Sequence, residues 1–412
     1  MQRIEQLFPE GHLIRRDFER INFKSNVISL YFVRPLSRHE ATLGALLGRV
    51  LSFSSEEYPG LQAISDKEDD LYGVVVYFDS NKYRDLLVFE YKMVYPKYRL
   101  LPINHDLTDE AMAFYHSLLA KPMMKTGRFD PVVFRTEKAK LLEEIESLQK
   151  DPAAYAYRRC IEEHFRDSDL GLYKYGDVET LRKLTNRQLT AFYHRLFTEA
   201  DVFCYRHGDF ENTPPSRMVK PISREVLPWI DETATIEEER PINQSILVQA
   251  YQTDIEHTSP QSQAAMMFSY ILGGYSNSVL FREIRENLGY CYYIYTKYDK
   301  YRNVMFLNTG YREENHSALI EKINDLVKDI QNGTIDETDF AIAKLEAIQG
   351  LKSLHDRQMT LLDYQFIQDL FQKPETIEDR VRQLDELTLD DVAQAAKSFH
   401  LTTAYHLKGT KE

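Results

Sequence analysis

The sequence predicts an α+β protein built from two homologous domains, each a mixed or antiparallel sheet with helices on one face. The first observation behind this prediction is an internal repeat. The segment LTNRQL at 184–189 recurs as LTLDDV at 387–392, an offset of 203 residues (387 − 184). The second observation is that helix-like and strand-like segments cluster instead of alternating strictly, which is typical of α+β domains and not of doubly wound sheets.

Three further matches follow the same order along the chain. In the first, Asp130, Phe134 and Lys138 match Asp336, Phe340 and Lys344 at an offset of 206 residues (336 − 130). In the second, residues 71–74 match 287–290 at an offset of 216 (287 − 71). In the third, residues 28–32 match 246–250 at an offset of 218 (246 − 28). Because single short matches arise by chance but a collinear series does not, the pattern indicates two copies of one domain. We place the domains at 1–210 and 242–412, with a proline-rich, acidic linker at 211–241.

Apolar periodicity and capping residues predict the elements of the first copy. In order, these are a strand at 27–33 that is apolar on both faces, a helix at 43–51, a strand at 74–78, helices at 109–120 and 130–149, a helix beginning at Asp151 and Pro152, a helix at 185–197 and a strand at 201–206. The second copy repeats this plan and closes with a strand at 402–407.

Composition restricts the class of protein. Apolar residues make up 43% of the 412 residues and charged residues 28%, which is typical of a soluble globular protein. The net charge of −13 argues against nucleic-acid binding, which needs concentrated lysine and arginine. Neither a secretory segment nor an apolar run of membrane-spanning length is apparent, and the three cysteines form no CxxC pair. We therefore expect a cytoplasmic protein without a disulfide framework or a membrane anchor.

The segment at 272–295, LGGYSNSVLFREIRENLGYCYYIY, is the most distinctive stretch of the chain. It predicts a turn at Gly273 and Gly274, an amphipathic helix that ends at Gly289, and an aromatic strand. The segment resembles a signature of the pitrilysin and mitochondrial-processing-peptidase superfamily of zinc peptidases, the inverzincins. The matching residues are Leu272, Gly273, Gly274, Ser278, Leu280, Phe281, Arg285, Glu286, Gly289 and Tyr292.

The resemblance implies a role for two of these residues. In that family, the arginine and the tyrosine at the positions of Arg285 and Tyr292 hold the bound peptide. An arginine fork can bind a carbonyl or carboxylate, and a tyrosine adds one hydroxyl. The alternative interpretation is an ordinary solvated arginine on a helix and an ordinary strand tyrosine.

The zinc motif of the family is missing. Inverzincins bind zinc through H-x-x-E-H on the helix that follows the first strand. The corresponding helix here reads LGALLGRVL at 43–51 and contains no His, Glu, Asp or Cys. His39 and Glu40 are predicted to precede that helix, and neither has a partner four residues away. Glu144 is similar to the third zinc ligand of the family, although it also reads as a solvated helix carboxylate. We therefore expect no metal and no cofactor in this chain.

One segment imitates the missing motif. Cys160 and His164 in CIEEH have the right spacing, and cysteine binds zinc. However, this segment follows Glu144, whereas the family motif precedes its distal ligand. Both residues also share a stripe with Ala153 and Tyr157, as expected for a half-buried helix. The other histidines show no ligand spacing, and motifs for serine nucleophiles, phosphate loops and redox thiols do not occur.

The family contains heterodimers in which one subunit keeps zinc and the other supplies only binding surface, the two closing as a clamshell. The resemblance therefore implies a catalytically inactive subunit that helps a zinc-binding, HxxEH-containing homologue to cleave a peptide or precursor. It is similar to inactive bacterial members associated with aminopentanol modification of elongation factor P. Two alternatives stay open, a non-proteolytic scaffold and an enzyme with an unrecognised site. A homodimer is a further expectation when the partner is absent.

Overall fold

The computed structural model describes residues 2–148, 150–217 and 227–410. Gln149, at the end of the predicted helix 130–149, and residues 218–226 of the predicted linker lie outside the described residues.

The described chain contains strands in two large sheets and one small hairpin. The strands are β1 (Leu13–Glu19), β2 (Ser25–Pro35), β3 (Val75–Tyr83), β4 (Leu86–Pro96), β5 (Met124–Lys125), β6 (Arg128–Phe129), β7 (Asp201–Gly208), β8 (Ala234–Arg240), β9 (Ser245–Gln252), β10 (Cys291–Asp299), β11 (Val304–Tyr311) and β12 (His400–Gly409).

The helices connect and cover these sheets. The α-helices are α1 (Gln2–Glu5), α2 (Arg38–Phe53), α3 (Leu61–Asp70), α4 (Thr108–Ala120), α5 (Pro131–Ser147), α6 (Pro152–His164), α7 (Val178–Lys183), α8 (Asn186–Glu199), α9 (Ser262–Ser269), α10 (His316–Gln331), α11 (Glu337–Lys352), α12 (Gln358–Leu370), α13 (Ile377–Glu386) and α14 (Leu389–Lys397). Two segments, Tyr270–Gly274 and Phe281–Asn287, have the wider π-helical geometry. Single 3₁₀ turns occur at Tyr98–Leu100, Asp169–Gly171, Glu313–Asn315 and Ser353–Asp356.

The two sheets have the same topology, which confirms the predicted α+β repeat. Their strand orders are β1-β7-β2-β4-β3 and β8-β12-β9-β11-β10. In each sheet the edge strand that comes first in sequence is parallel to its neighbour, and all the other pairs are antiparallel.

Residues matched between the repeats make the same contacts in both copies. Lys138 donates from Nζ to the carbonyl of Leu184 at 2.8 Å, and Lys344 donates to the carbonyl of Leu387 at 3.0 Å. The threonines that follow these two leucines cap α8 and α14 in the same way, each with a reciprocal capping box. The sequence repeat is therefore a repeat of hydrogen bonds as well as of strand order.

The acidic end of the predicted linker is a strand. β8 pairs in parallel with β12, in a register that places Glu237 opposite His406 and Glu239 opposite Lys408. An edge strand needs backbone hydrogen bonds on one side only, so exposed acidic side chains are compatible with it. The stretch predicted as linker therefore contains a strand of the second sheet, and the linker bounds 211–241 stay a prediction.

The chain divides into two compact units that are not continuous in sequence. Within the described residues, the first unit combines 2–146, 172–217 and 355–374, and the second combines 147–171, 227–354 and 375–410. Thus α12 belongs with the first sheet and α6 with the second. The domain boundaries at 210 and 242 describe the order of the repeats and stay a prediction.

Both faces of each sheet are covered, although the sequence predicted helices on one face only. In the first unit, Phe366 of α12 stacks on Tyr31 of β2 with ring centroids 3.8 Å apart. In the second unit, Cys160 of α6 lies in a buried apolar cluster with Val248 and Tyr405 of the sheet. The reason is that the central strands are apolar on both faces, so each face needs cover.

Candidate functional site

The helix that would carry zinc in the family is α2, and its inward face carries glycines. Gly44 and Gly48 have the spacing of the two histidines of H-x-x-E-H, with Leu47 at the place of the glutamate. Both glycines line a cavity of about 130 Å³, together with Arg49 and Leu141.

A histidine does not fit at either glycine. A Cβ on Gly44 would lie 1.7 Å from Cε1 of Phe89, and a Cβ on Gly48 would lie 2.3 Å from Cδ1 of Phe78. Both rings belong to the sheet of the same unit, so they occupy the space that ligand side chains would need. The residues present here therefore do not fit a zinc ion, and no catalytic step passes through one.

Arg49 supplies a positive charge at this place. Its guanidinium forms an ion pair with Glu144, and Nη1 lies 3.9 Å from Oε2 of Glu137. The Glu137 side chain is only 6% exposed, and its nearest cation is Lys140 of the same helix, whose Nζ lies 2.8 Å from Oε1. The carboxylates of Glu137 and Glu144 lie two helical turns apart on α5, and both face the guanidinium of Arg49 on α2. The role of Glu144 as a vestigial ligand position stays a prediction, because an ion pair with arginine explains the carboxylate equally well.

His39 and Glu40 lie in the first turn of α2, not before it as predicted, because Ser37 caps the helix. Glu40 accepts from Nη2 of Arg34 at 2.6 Å and lies 3.7 Å from Arg195. This carboxylate is engaged in ion pairs at the helix start.

The CIEEH segment is a buried packing stripe, as predicted. Sγ of Cys160 donates to the carbonyl of Val248 at 3.6 Å, and burial raises the pKa of its thiol. Nδ1 of His164 lies 3.2 Å from the hydroxyls of both Thr402 and Thr403. Burial lowers the pKa of His164 to about 4, so the ring is neutral at neutral pH. Both side chains attach α6 to its sheet.

The structure brings Arg285 and Tyr292 together in the second unit. Arg285 lies on the π-helical segment Phe281–Asn287, Gly289 turns the chain with φ of +64°, and Tyr292 follows in β10. The predicted stop at Gly289 is confirmed, since this left-handed conformation favours glycine.

The paired glycines before this segment are helical and not a turn as predicted. Gly273 and Gly274 end the π-helical segment that continues α9. A Cβ on Gly273 would lie 2.7 Å from the backbone nitrogen of Thr296 in β10. The glycine is therefore needed because the end of this helix lies directly on the strand.

Arg285 and Tyr292 contact each other and leave donors unused. Nε of Arg285 donates to the carbonyl of Tyr292 at 2.9 Å, and the guanidinium lies 4.6 Å from the ring centre of Phe281. Arg312 donates from Nε to the Tyr292 hydroxyl at 3.1 Å. Within the described residues, Nη1 and Nη2 of Arg285 make no hydrogen bond. These two nitrogens are available to a carbonyl or carboxylate of a ligand.

The segment that carries Arg285 is held in place by a second arginine. Arg282 donates to both carboxylate oxygens of Asp339 in α11, at 2.7 and 2.6 Å. Such a two-point bond fixes the orientation as well as the distance of the segment. Arg285 is therefore an exposed group on an anchored support.

Tyr292 lies beside a sheet edge and a groove. Among the described strands, β10 pairs only with β11, and the Tyr292 and Tyr295 side chains are half-exposed. A groove of about 520 Å³ is lined by Tyr292, by Pro152 of α6 and by residues 241–244 between β8 and β9. An unpaired edge beside a groove that contains a tyrosine offers backbone bonds and side-chain contacts to an extended peptide.

Sequence reasoning missed Arg49, Glu137 and the two α2 glycines. A signal existed for the carboxylates, because Glu137 and Glu144 are seven residues apart and share a helical face. No signal identified Arg49 as their partner, since that contact joins segments almost a hundred residues apart.

Comparisons with known proteins agree with the geometry. Residues 158–346 match the sequence model of the Peptidase M16 inactive domain. A Bacillus subtilis (strain 168) protein named Probable inactive metalloprotease YmfF is 24% identical over 412 residues, covering 97% of this chain and 96% of that protein. The resemblance to inactive pitrilysin-type peptidases is thereby confirmed.

Solved structures share the fold. A conserved protein from Enterococcus faecalis V583 superposes with a TM-score of 0.88 at 23% identity, covering 99% of this chain and 98% of that one. The peptidase M16 inactive domain from Pseudomonas fluorescens gives a TM-score of 0.75 at 16% identity, with 97% of each chain covered. Among the described residues, no helix has both the length and the apolar character needed to cross a membrane.

Proposed function

We propose that this chain, an inactive M16-type metalloprotease-like protein, is the substrate-holding subunit of a zinc-dependent peptidase whose catalytic subunit is an HxxEH-containing homologue. In this proposal the zinc ion belongs to the partner, because α2 has glycines at the two positions with histidine spacing and no room for a side chain at either one. The substrate is a peptide or a small precursor protein.

The observation that carries the proposal is the pair of Arg285 and Tyr292 at the edge of β10. Arg285 is exposed and directs two unused donors away from its bond to the Tyr292 carbonyl. A peptide that adds to β10 as a further strand would place its backbone carbonyls near these donors. The Tyr292 ring and the adjoining groove would then contact a side chain of the peptide.

The state of the three cysteines is relevant to the proposed location of the complex. Cys160, Cys204 and Cys291 are all buried and free, and none forms a disulfide. Disulfides are rare in the cytoplasm, so a cytoplasmic location, which we propose for the complex, is consistent with three free thiols. When the partner is absent, we expect the same surface to support a homodimer.

The test is peptidase activity of the chain alone and mixed with an HxxEH homologue from the same organism, each with and without a chelator. We expect chelator-sensitive cleavage only in the mixture. Arg285→Ala should lower kcat/KM about tenfold or more, since it removes charged donors. Tyr292→Ala should lower it as well. Arg187→Ala is the matched control, because Arg187 is an exposed arginine on α8 of the first unit and should leave the rate unchanged.

Two results would contradict the proposal. Cleavage by the isolated chain would mean that an unrecognised site exists outside α2. A stable complex with the homologue that cleaves equally well with Arg285→Ala would remove the substrate-holding role. If neither a complex nor cleavage is found, a non-proteolytic scaffold is favoured, in keeping with the closed α2 site.

A further inference from the structure

Three potential metal ligands converge at one end of the second sheet. Glu313 follows β11, His316 is the first residue of α10, and His406 lies in β12. One ligand atom from each lies within 4.8 Å of the others. Sequence reasoning found no ligand spacing among these histidines, because His406 is ninety residues from His316 and only folding brings them together (406 − 316).

The geometry is close to that of a three-ligand site. Nε2 of His406 lies 3.2 Å from Oε2 of Glu313. In a tetrahedral zinc site with bonds near 2.0–2.1 Å, neighbouring ligand atoms are about 3.3 Å apart. The two imidazole rings are stacked with centroids 4.2 Å apart. One ligand pair already has the required separation, and the His316 ring would have to rotate out of its stack on His406 to direct Nε2 at the same ion.

Neighbouring groups orient the ligands. Nδ1 of His316 lies 2.5 Å from the Tyr311 hydroxyl, so Nε2 is its remaining ligand atom. Ser245 donates to Oε2 of Glu313 at 2.5 Å. Partners of this kind fix ring tautomers and carboxylate orientation in metal sites.

The cluster is incompletely satisfied as it stands. His406 is 4% exposed, and its Nδ1 has no hydrogen-bond partner within the described part of the chain. A buried ring nitrogen that no described residue satisfies is unusual in a folded protein.

We propose that Glu313, His316 and His406 bind one divalent transition-metal ion, with zinc as the representative. Two imidazoles and one carboxylate suit such an ion, and the fourth position is left for water. The ion joins β12 to the start of α10, and it acts on the stability of the second unit. The site is separate from the α2 position and does not depend on the proposed peptidase function.

The test uses the full chain, stripped of metal with a chelator and then titrated with zinc chloride by calorimetry. We expect one ion per chain and a rise in the melting temperature on binding. His316→Ala and Glu313→Gln should each weaken binding by at least about tenfold. Titration with cobalt chloride should give the strong visible absorption of a tetrahedral ion, and this absorption should be lost in both variants.

His400→Ala is the matched control, because His400 is an exposed histidine on the same strand. It should bind zinc as the unsubstituted chain does. Circular dichroism checks that each variant is folded, and the half-exposed Glu313 provides a mild substitution if His316→Ala does not fold. The proposal is overturned if the unsubstituted chain binds no zinc, or if the ligand variants bind it as well as the His400→Ala control.

Discussion

Lys92 provides the sharpest test of the buried charges in the first unit. Its side chain is 2% exposed in the centre of β4, and Nζ lies 2.6 Å from Oε2 of Glu90. Nζ also pairs with Asp363 of α12, which accepts a further bond from the Tyr31 hydroxyl at 2.6 Å. Lys92→Met keeps the length of the side chain and removes the ammonium group, leaving two carboxylates without their cation.

The expected loss follows from the burial of Glu90. Its side chain is 5% exposed, and removing one partner of a buried ion pair destabilises a protein by about 3–5 kcal/mol. A folded domain is stable by about 5–15 kcal/mol, so the loss is a large fraction. Glu90→Gln in the Lys92→Met chain removes the unpaired charge, and Asn81 can still donate to the amide oxygen. The double variant should therefore recover most of the stability.

The loss should also depend on pH. Burial raises the pKa of Glu90 above its ordinary value of 4.5, and without Lys92 it rises further. The folded variant then holds a proton that the unfolded chain releases, so its stability is greatest below about pH 4.5 and falls as the pH rises. Urea unfolding followed by circular dichroism at about pH 5 and about pH 8 measures both effects. A loss below about 1 kcal/mol, or no recovery in the double variant, would refute the buried-pair argument.

Two other predictions concern buried sites. Because the pKa of His164 is lowered to about 4 in the folded protein, the unfolded chain binds a proton on this histidine at a higher pH than the folded chain does. The free energy of unfolding should therefore fall by about 3 kcal/mol as the pH drops from about 6.5 to 4. His164→Gln should reduce the pH dependence of the free energy of unfolding, measured with urea. His39→Gln, at an exposed histidine, is the control and should leave it unchanged. An equal pH dependence in both variants would contradict a lowered pKa at His164. The double variant Gly44→His with Gly48→His should have a lower melting temperature, because each clash destabilises the fold by about 1–3 kcal/mol. Elemental analysis should find no additional bound zinc in this variant. Gly350→His, with open space around it, is the control, and extra zinc in the double variant would contradict the reasoning.

The repeat was predictable because it rests on local chemistry. A threonine cap, an aspartate at a helix start and a lysine eight residues after it are visible in sequence, and they recur where the structure repeats the same contacts. The end of the helix at Gly289 was predictable for the same reason, since the chain needs a left-handed residue there.

Other features could not be predicted because they depend on which distant segments meet. The acidic composition of 237–239 is typical of a solvated linker, but pairing with β12 makes it a strand. Nothing local places α12 against the first sheet or α6 against the second; only the apolar second face of each sheet requires such cover.

By itself, the sequence determined the α+β class, the repeat, the lack of an H-x-x-E-H motif and the Arg285 and Tyr292 segment, because each depends on residue types at short spacings. Only the tertiary structure decided that Phe78 and Phe89 occupy the space that side chains at Gly48 and Gly44 would need, and that Arg49 lies beside Glu144. It alone joined Glu313 and His316 to His406. These are contacts across long stretches of chain, and burial and charge select them only after the sheets have formed.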